Sequence, residues 1–504
     1  MEMKERRQLD RIFNPRGMAL FGGISKPGAF GYLIALSQIR YGYRGNLYPI
    51  SSKGGEIAGQ RIYKRLDEID GPVDLAAISV PAKVVPDILR DCLKHGVAGA
   101  QVHSSGFAET GDSQGIALQE EMVQIAQKGL RIVGPNCFGI HCPRGGITLL
   151  PGSNFAKKPG SVAFISQSGG VATDFGYEAQ SAGLGISKVI SFGNGCDVDA
   201  VQLMDYLGDD PETEYISAYI EGVKNGRRFF DSLRRVSRSK PVVIWKAGLT
   251  PLGGRAAFSH TASLAGDQKL WSGALSQAGV VSVQGLDEII DALMAIKYLQ
   301  HPGRRIALIG GGGAIGVFSC DLAHRWGMDL PTFGPQTQAR LQKHFPTPGN
   351  SMANPLDTGS PVLPKEVISA SAEEILKSEP VDVLIIVLLL RSLEVEVHTF
   401  MEMIGAPPPV RGSYLKEMLD ILVDLKNKTG KDIVVVFENR ANQEHNVDVE
   451  KVSREIRKAY QAQGIPVFAS AERALRSIRH AITAVQGKCT TSYISQPPGS
   501  GIIV

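Results

Sequence analysis

The sequence predicts an α/β protein built from parallel sheets, and three observations carry that reading. Short apolar or β-branched runs alternate with helical stretches along the whole chain, the pattern of strands joined by crossover helices. The longest apolar run, VLIIVLLL at residues 383–390, is unbroken rather than alternating, as expected of a strand covered on both faces. A strand followed by a glycine or serine turn opens each of three successive stretches of chain. Glycine is 57 of 504 residues, above the usual share of about 7%, which points to many backbone sites in loops.

The elements follow in order. Strands are expected at residues 17–21, 75–80, 161–165, 215–220, 241–245, 305–309, 381–390 and 432–437, with helices such as 84–95 and 116–128 between them. Gly- and Pro-rich segments place boundaries at 143–160 (PRGGITLLPGSNFAKKPG) and at HPGR, 301–304. The division is therefore 1–145, 146–302 and 303–486, each of ordinary domain size, with a tail at 487–504 that looks disordered or partner-bound. No 20-residue apolar stretch is present for a membrane span, and the charged start MEMKERRQLDRIF lacks the apolar core of a signal peptide. Lys plus Arg total 54 and Asp plus Glu 50, a net charge of +4, too balanced for a nucleic-acid binder. Six cysteines without CxxC spacing argue against a disulfide scaffold or zinc site, and no metal site is expected. A cytoplasmic location follows.

The first turn reads MALFGGISKPGAFG, residues 18–31. Glycines between a strand and a helix let backbone N–H groups approach a phosphate, and the helix N-terminus favours the anion. The spacing only partly meets the dinucleotide fingerprint. The next strand ends in LYPISSK, so Ser51, Ser52 and Lys53 stand where a site for NAD wants a carboxylate. That suits an adenosine ribose carrying an extra phosphate, as in CoA or NADP. Later strand-end loops add Val80 and Pro81, Ser104, Ser105 and Gly106, and Gly134–Cys137.

In the second stretch, VAFISQSGG (162–170) runs into a helix. Two hydroxyls and free amides there form an oxyanion cradle, and without a GxSxG elbow the serines read as donors. GGRAAFSHTASLAG (253–266) places His260 among small residues with room for an adduct on the ring; a structural histidine is the equal alternative. The other nine histidines read mostly as helix or surface residues. Glu221 closes the strand 215–220, where a carboxylate is placed to orient an imidazole. SFGNGCDVD (191–199) is a further strand-end loop, a candidate for a carboxylate substrate through Gly193 and Asn194. The third stretch opens with RIALIGGGGAIG (305–316), a second amide-rich helix start.

Taken in order, with SVPAKVVP, IVGPNCFG, IEGVKNGR and NPLDTG, these motifs resemble the α subunit of NDP-forming acyl-CoA synthetases. That group includes ADP-forming acetyl-CoA synthetase and, more distantly, succinyl-CoA synthetase, and the likeness spans about residues 8–485. It implies a CoA-binding Rossmann-like domain followed by two flavodoxin-like ligase domains. By that resemblance CoA would meet Gly22, Ser25, Lys26, Gly28, Phe30, Gly31, Lys53, Val80, Pro81, Ser105, Gly106, Asn136 and Cys137. His260 would carry a phosphoryl group, steadied by Glu221. Two helix starts would hold it, one at Ser166, Ser168, Gly169 and Gly170, the other at Gly311, Gly312 and Gly313. Gly193 and Asn194 would meet the substrate. Ser51–Ser52 replaces the family's Asn-Pro before the lysine, and Ala262 replaces the glycine of SHTG.

The implied reaction is acyl-CoA + ADP + phosphate ⇌ carboxylic acid + CoA + ATP. No GxxxxGK[ST] loop is present, and no stretch is left for an ATP-grasp module. Mg-ADP and Mg-ATP are therefore expected on a separate ATP-grasp β subunit, in a hetero-oligomer. A CoA-sensing protein that kept the fold, or an NADP enzyme, are the alternatives.

Overall fold

The structure, a computed structural model, describes residues 2–150, 152, 154–255, 267–310, 312–345, 350–441 and 443–489. The first sheet holds β1 (Gly17–Phe21) and β2 (Asn46–Ile50), then, past a small hairpin of β3 (Gly55–Ile57) and β4 (Gln60–Ile62), β5 (Leu75–Ile78), β6 (Gly99–Val102) and β7 (Arg131–Val133). All its pairings are parallel and the order is β2-β1-β5-β6-β7.

The second sheet begins with β8 (Ile140–Cys142) and β9 (Ile147–Thr148), followed by β10 (Val162–Ser166), β11 (Ile186–Ser191), β12 (Tyr215–Ile220), β13 (Val242–Lys246) and β14 (Val281–Val283). Its order is β14-β13-β12-β10-β11-β8-β9, with β8 antiparallel to β11 and β9 antiparallel to β8. The third sheet runs β16-β15-β17-β18-β19, all parallel, from β15 (Ile306–Gly310), β16 (Leu356–Asp357), β17 (Val383–Leu389), β18 (Asp432–Glu438) and β19 (Val467–Phe468).

Counted along the chain, the five parallel strands of each sheet stand in the order 2-1-3-4-5. That is the doubly wound flavodoxin-like order, whose ligand crevice opens at the carboxyl ends where the winding reverses, between its first and third strands. The three reversal points are β1/β5, β10/β12 and β15/β17. The glycine and serine turns noted in the sequence follow the first strand of each pair.

Contacts divide the chain into two compact units, Met1–Ile289 with the chain end from Gln486, and Ile290–Val485. The first two sheets thus share one unit, where the sequence division separated them at residue 145. The hairpin β8–β9 straddles that position. Its turn reads PRGG, which resembles a linker, yet Ile140, Cys142 and Ile147 are fully buried against the second sheet. One apolar cluster runs from Leu9, Ile12 and Phe13 through Leu20 and Ile140 to Ile165 and Ile216, joining both sheets. The second unit has its own core around Leu384, Ile386, Val435 and Leu422. The final helix, Ala471–Cys489, extends past residue 487; the rest of the expected tail lies outside the described residues. Among the described residues no helix is long and apolar enough to cross a membrane.

Candidate active site

The first crevice is built by the turn between β1 and the helix Phe30–Tyr41. Gly22, Gly23 and Gly28 have positive φ. A Cβ on Gly22 would lie 2.2 Å from the Ser79 carbonyl, and one on Gly31 only 1.8 Å from the Gly22 carbonyl. The helix therefore starts directly on the turn. Its N-cap, Ala29, supplies no side-chain cap, so the amides of the first turn face the crevice side unsatisfied from within the helix.

Strand-end loops line up beside it. Ser79 N–H donates to Phe21 O (2.9 Å) and His103 N–H to Ile78 O (2.9 Å), while Asn136 N–H donates to Ser104 O (2.9 Å). The Ser104 hydroxyl donates to Val80 O. Ser25, Lys26, Lys53, Pro81 and Ser105 are exposed, so Lys26 and Lys53 offer charge at neighbouring strand ends. Uncapped backbone in the turn and exposed lysines in the loops after β1 and β2 are groups that a polyphosphate bearing a phosphorylated ribose would need.

Three residues sit differently from their expected surroundings. The Cys137 side chain is buried, its thiol donates to Val102 O at 3.3 Å, and burial pushes its pKa up to about 12. The thiol itself therefore points inward. The histidines other than His260 read mostly as helix or surface residues, but His103 is buried at the end of β6, as is His141 on β8. Burial lowers the His103 pKa to about 4. The Gln101 amide nitrogen faces His103 Nε2 at 3.2 Å and the Ser79 hydroxyl faces Nδ1 at 3.1 Å. Sequence reasoning passed over this histidine, although it directly precedes Ser104–Ser105–Gly106. The ring of Phe30 stands edge-on to it, 5.3 Å between centroids.

The loop 193–198 joins this crevice to the second sheet. Gly193 has φ 51°, and a Cβ there would lie 2.2 Å from the carbonyls of both Pro135 and Asn136. Asn194 N–H donates to Pro135 O (3.0 Å), and its amide nitrogen donates to Gln119 Oε1 (2.9 Å) and to Glu109. Asp197 accepts from Arg131 Nε (2.9 Å) and Ile132 N–H (2.8 Å). The side chains of Asn194 and Asp197 are thus engaged in holding one sheet to the other.

From Cys137 the chain turns to Phe138, whose ring covers Gly169; a Cβ there would lie 2.4 Å from the ring. Phe138 also stands 6.2 Å from Phe30. Gly169 begins the helix Gly169–Ser181, N-capped by the Ser168 hydroxyl accepting from Val171 N–H at 3.4 Å. The buried Ser166 hydroxyl donates to Ser168 O (2.7 Å) and accepts from Ser168 N–H (3.1 Å). Ser166 therefore shapes the turn, and Gly169 and Gly170 present the helix start. Gln167, between the serines, accepts through Oε1 from Glu221 N–H (2.5 Å) and Gly222 N–H (3.0 Å). That bond fixes the end of β12 beside the helix start.

Glu221 is 5% exposed. The Tyr219 phenol is pushed up by burial, by the Glu221 charge and by its hydrogen bond to that carboxylate. His260 and its segment 256–266 lie outside the described residues.

In the second unit, Gly310 ends β15, Gly312 has φ 114°, and the helix Gly313–Arg325 starts without a side-chain cap. Gly311 lies outside the described residues. A cleft of about 610 Å³ opens there, lined among others by Gly312, Gly313, Phe318, Arg391 and Arg440. Arg391 pairs with Glu396 at 2.7 Å and Arg440 with Glu438. Sequence reasoning missed both arginines, whose signal was their place just beyond β17 and β18.

Comparisons with known proteins match this arrangement. The family described as a CoA binding domain matches residues 16–143, and the succinyl-CoA ligase like flavodoxin domain matches 159–296. The α subunit of acetate–CoA ligase [ADP-forming] I from Pyrococcus furiosus is 38% identical over 69% of this chain and 76% of its own length. The α subunit of that organism's ligase II is 39% identical over the same shares. The chain belongs to the ADP-forming acetate–CoA ligase family.

A solved structure agrees across nearly the whole length. The dinucleotide forming acetyl-coenzyme A synthetase 1 of Ca. Korarchaeum cryptofilum, in complex with phosphate and ADP, has a TM-score of 0.80 and 29% identity. It covers 97% of this chain and 99% of its own. As a member of this family the chain is an acid–thiol ligase with CoA as a substrate, and its first sheet carries the CoA-binding fold.

Proposed function

We propose that this ligase chain makes an acyl phosphate at the Ser166–Gly170 turn and carries its phosphoryl group on His260, steadied by Glu221. The single observation behind this reading is the convergence on Gly169. The loop from the CoA-type crevice arrives there as Phe138, and Gln167 brings Glu221 to the same helix start. We therefore put the thiol end of CoA and a carboxylate able to orient an imidazole at one helix start.

In this reading CoA lies across Gly22, Gly28, Gly31, Lys53, Val80, Ser105 and Asn136, and Cys137 contributes only backbone. A phosphate oxygen attacks the thioester carbon, the C–S bond breaks, and CoA leaves as the thiolate. His260 then attacks phosphorus, the bond to the acyl oxygen breaks, and the carboxylate leaves. ADP takes the phosphoryl group and the imidazole is restored. Passing through covalent intermediates divides one difficult displacement into easier steps, and amides at the helix starts stabilise each anion. Gly312 and Gly313 open a helix start without a side-chain cap in the second unit. Gly193–Asn194 would meet the acid through backbone, since the Asn194 side chain is committed. Acetate, the acid named for both Pyrococcus furiosus relatives, is the acid proposed.

The nucleotide site is proposed to lie on a separate ATP-grasp chain, because the glycine turns are all assigned to CoA and phosphoryl roles. Incubation with ³²P-labelled acetyl phosphate, which needs only this chain, tests the reading. Acid-labile label is expected on the wild type and absent from His260→Ala, while Glu221→Gln labels about 100-fold more slowly. Full labelling of His260→Ala would defeat it.

A further inference from the structure

We propose that Lys246 is a positioning residue for phosphoryl transfer, a brace that ties the Glu221 strand end to the two stems of the histidine-bearing segment. It rests on the roles proposed above for Glu221 and His260. Lys246 is the last residue of β13, in register with Ile220 at the end of β12. It is 4% exposed, a burial that lysine almost never has without compensating partners. Its ammonium donates to the Glu221 carbonyl at 2.7 Å and to the Ala247 carbonyl. The face of Trp271 lies 4.9 Å away, within cation–π range.

Those partners belong to three segments. Glu221 belongs to the strand end that carries the proposed carboxylate. Ala247 begins the stretch leading to residue 255. Trp271 sits in the first turn of the helix Gln268–Gln277, which resumes after residue 266 and is capped by Asp267 accepting from Leu270 N–H at 2.9 Å. One buried cation therefore reaches the carboxylate's strand and the chain on either side of the segment that holds His260.

Burial lowers the Lys246 pKa to about 8 and the Glu221 charge opposes that shift, so the group is an ammonium at neutral pH. A hydrocarbon side chain would fill the space but leave two carbonyls without their donor. Nothing in the reaction needs Lys246 to touch a substrate. Its effect is to hold the Glu221 strand end against the chain on either side of that segment, where a displacement of about 1 Å costs about 100-fold in rate.

The experiment measures the rate of acid-labile labelling from ³²P-acetyl phosphate, with CoA affinity and melting temperature as companions. In that step the phosphorus–acyl oxygen bond breaks, acetate leaves, and a nitrogen–phosphorus bond forms. Lys246→Met is expected to label about 10- to 100-fold more slowly, with CoA affinity close to wild type and melting lowered by no more than the lost hydrogen bonds explain. In a Glu221→Gln background the same substitution is expected to add less than about 2-fold, because both residues act through one carboxylate. Lys246→Gln keeps an amide N–H₂ donor without the charge and serves should the Met variant melt early; it too is expected to slow labelling. A histidine-dependent label indifferent to either substitution overturns the proposal alone. So does an equal loss in both backgrounds. Label that survives in His260→Ala removes the histidine reading and the proposal with it.

Discussion

Gly31 stands in the first turn of the helix Phe30–Tyr41 with its α-carbon against the Gly22 carbonyl. A methyl group there would lie 1.8 Å from that oxygen, and the obstacle is backbone, which no rotamer change relieves. Gly31→Ala must displace the turn or the helix start. We expect CoA affinity to fall at least about 10-fold, read by calorimetric titration, because contacts to a bound anion at a helix start depend on amide position. Unchanged affinity would remove this turn from the CoA site. Glycines of this kind were legible in the sequence, since a strand–turn–helix junction that approaches a ligand admits little else. The direction of Cys137 was not. Its loop was readable, but the twist that turns the thiol inward to Val102 depends on the neighbouring strand β6.

At the scale of elements, the helix Gly169–Ser181 shows one residue in two capacities. The Ser168 hydroxyl caps the helix, and Ser168→Ala should cost about 1 kcal/mol of stability, read from denaturant unfolding. If the hydroxyl also donates to phosphate, labelling from acetyl phosphate will fall by more than this stability loss explains. A purely structural cap predicts a normal rate in the folded variant. The hairpin β8–β9 is the counter-case for sequence reading. Strands of three and two residues around a PRGG turn look like a linker, and only the pairing of Ile140 and His141 with β11 reveals them. That pairing spans about fifty residues of sequence, beyond any local pattern.

For the first compact unit as a whole, buried ionisable groups set the response to acid. His103 and His141 both have pKa values lowered by burial to about 4, from an ordinary 6.5. The unfolded chain binds the extra protons between those values, so stability falls as pH drops from about 6.5 to 4. The effect is on the order of 3 kcal/mol for each group. Asp74 extends the trend. Burial alone would raise its carboxyl, but hydrogen bonds from Arg16 and Arg11 prevail and hold it at about 2, below the usual 3.8. Its contribution is present above about pH 4 and lost as pH falls through 2. Melting temperature should therefore decline steadily from pH 7 to 4. His141→Phe should flatten the slope, since the ring already packs among Tyr41 and Phe155. An unaltered slope would show that His141 takes no part.

Local pattern alone was enough for the α/β class, the repeated strand–turn–helix plan and the glycine and serine turns. These depend on local constraints: which residues pack on both faces of a strand, and where only glycine allows the backbone through. The tertiary structure decided what stands beside what. It showed that all three sheets share one strand order, so that each turn lies at a reversal point. It merged the first two sheets into one unit through the core around Ile140 and Ile165. It brought Glu221 to the Ser166–Gly170 turn through Gln167, and placed a buried lysine behind it. Such juxtapositions arise from pairing between strands far apart in the chain, and no window along the sequence contains both partners.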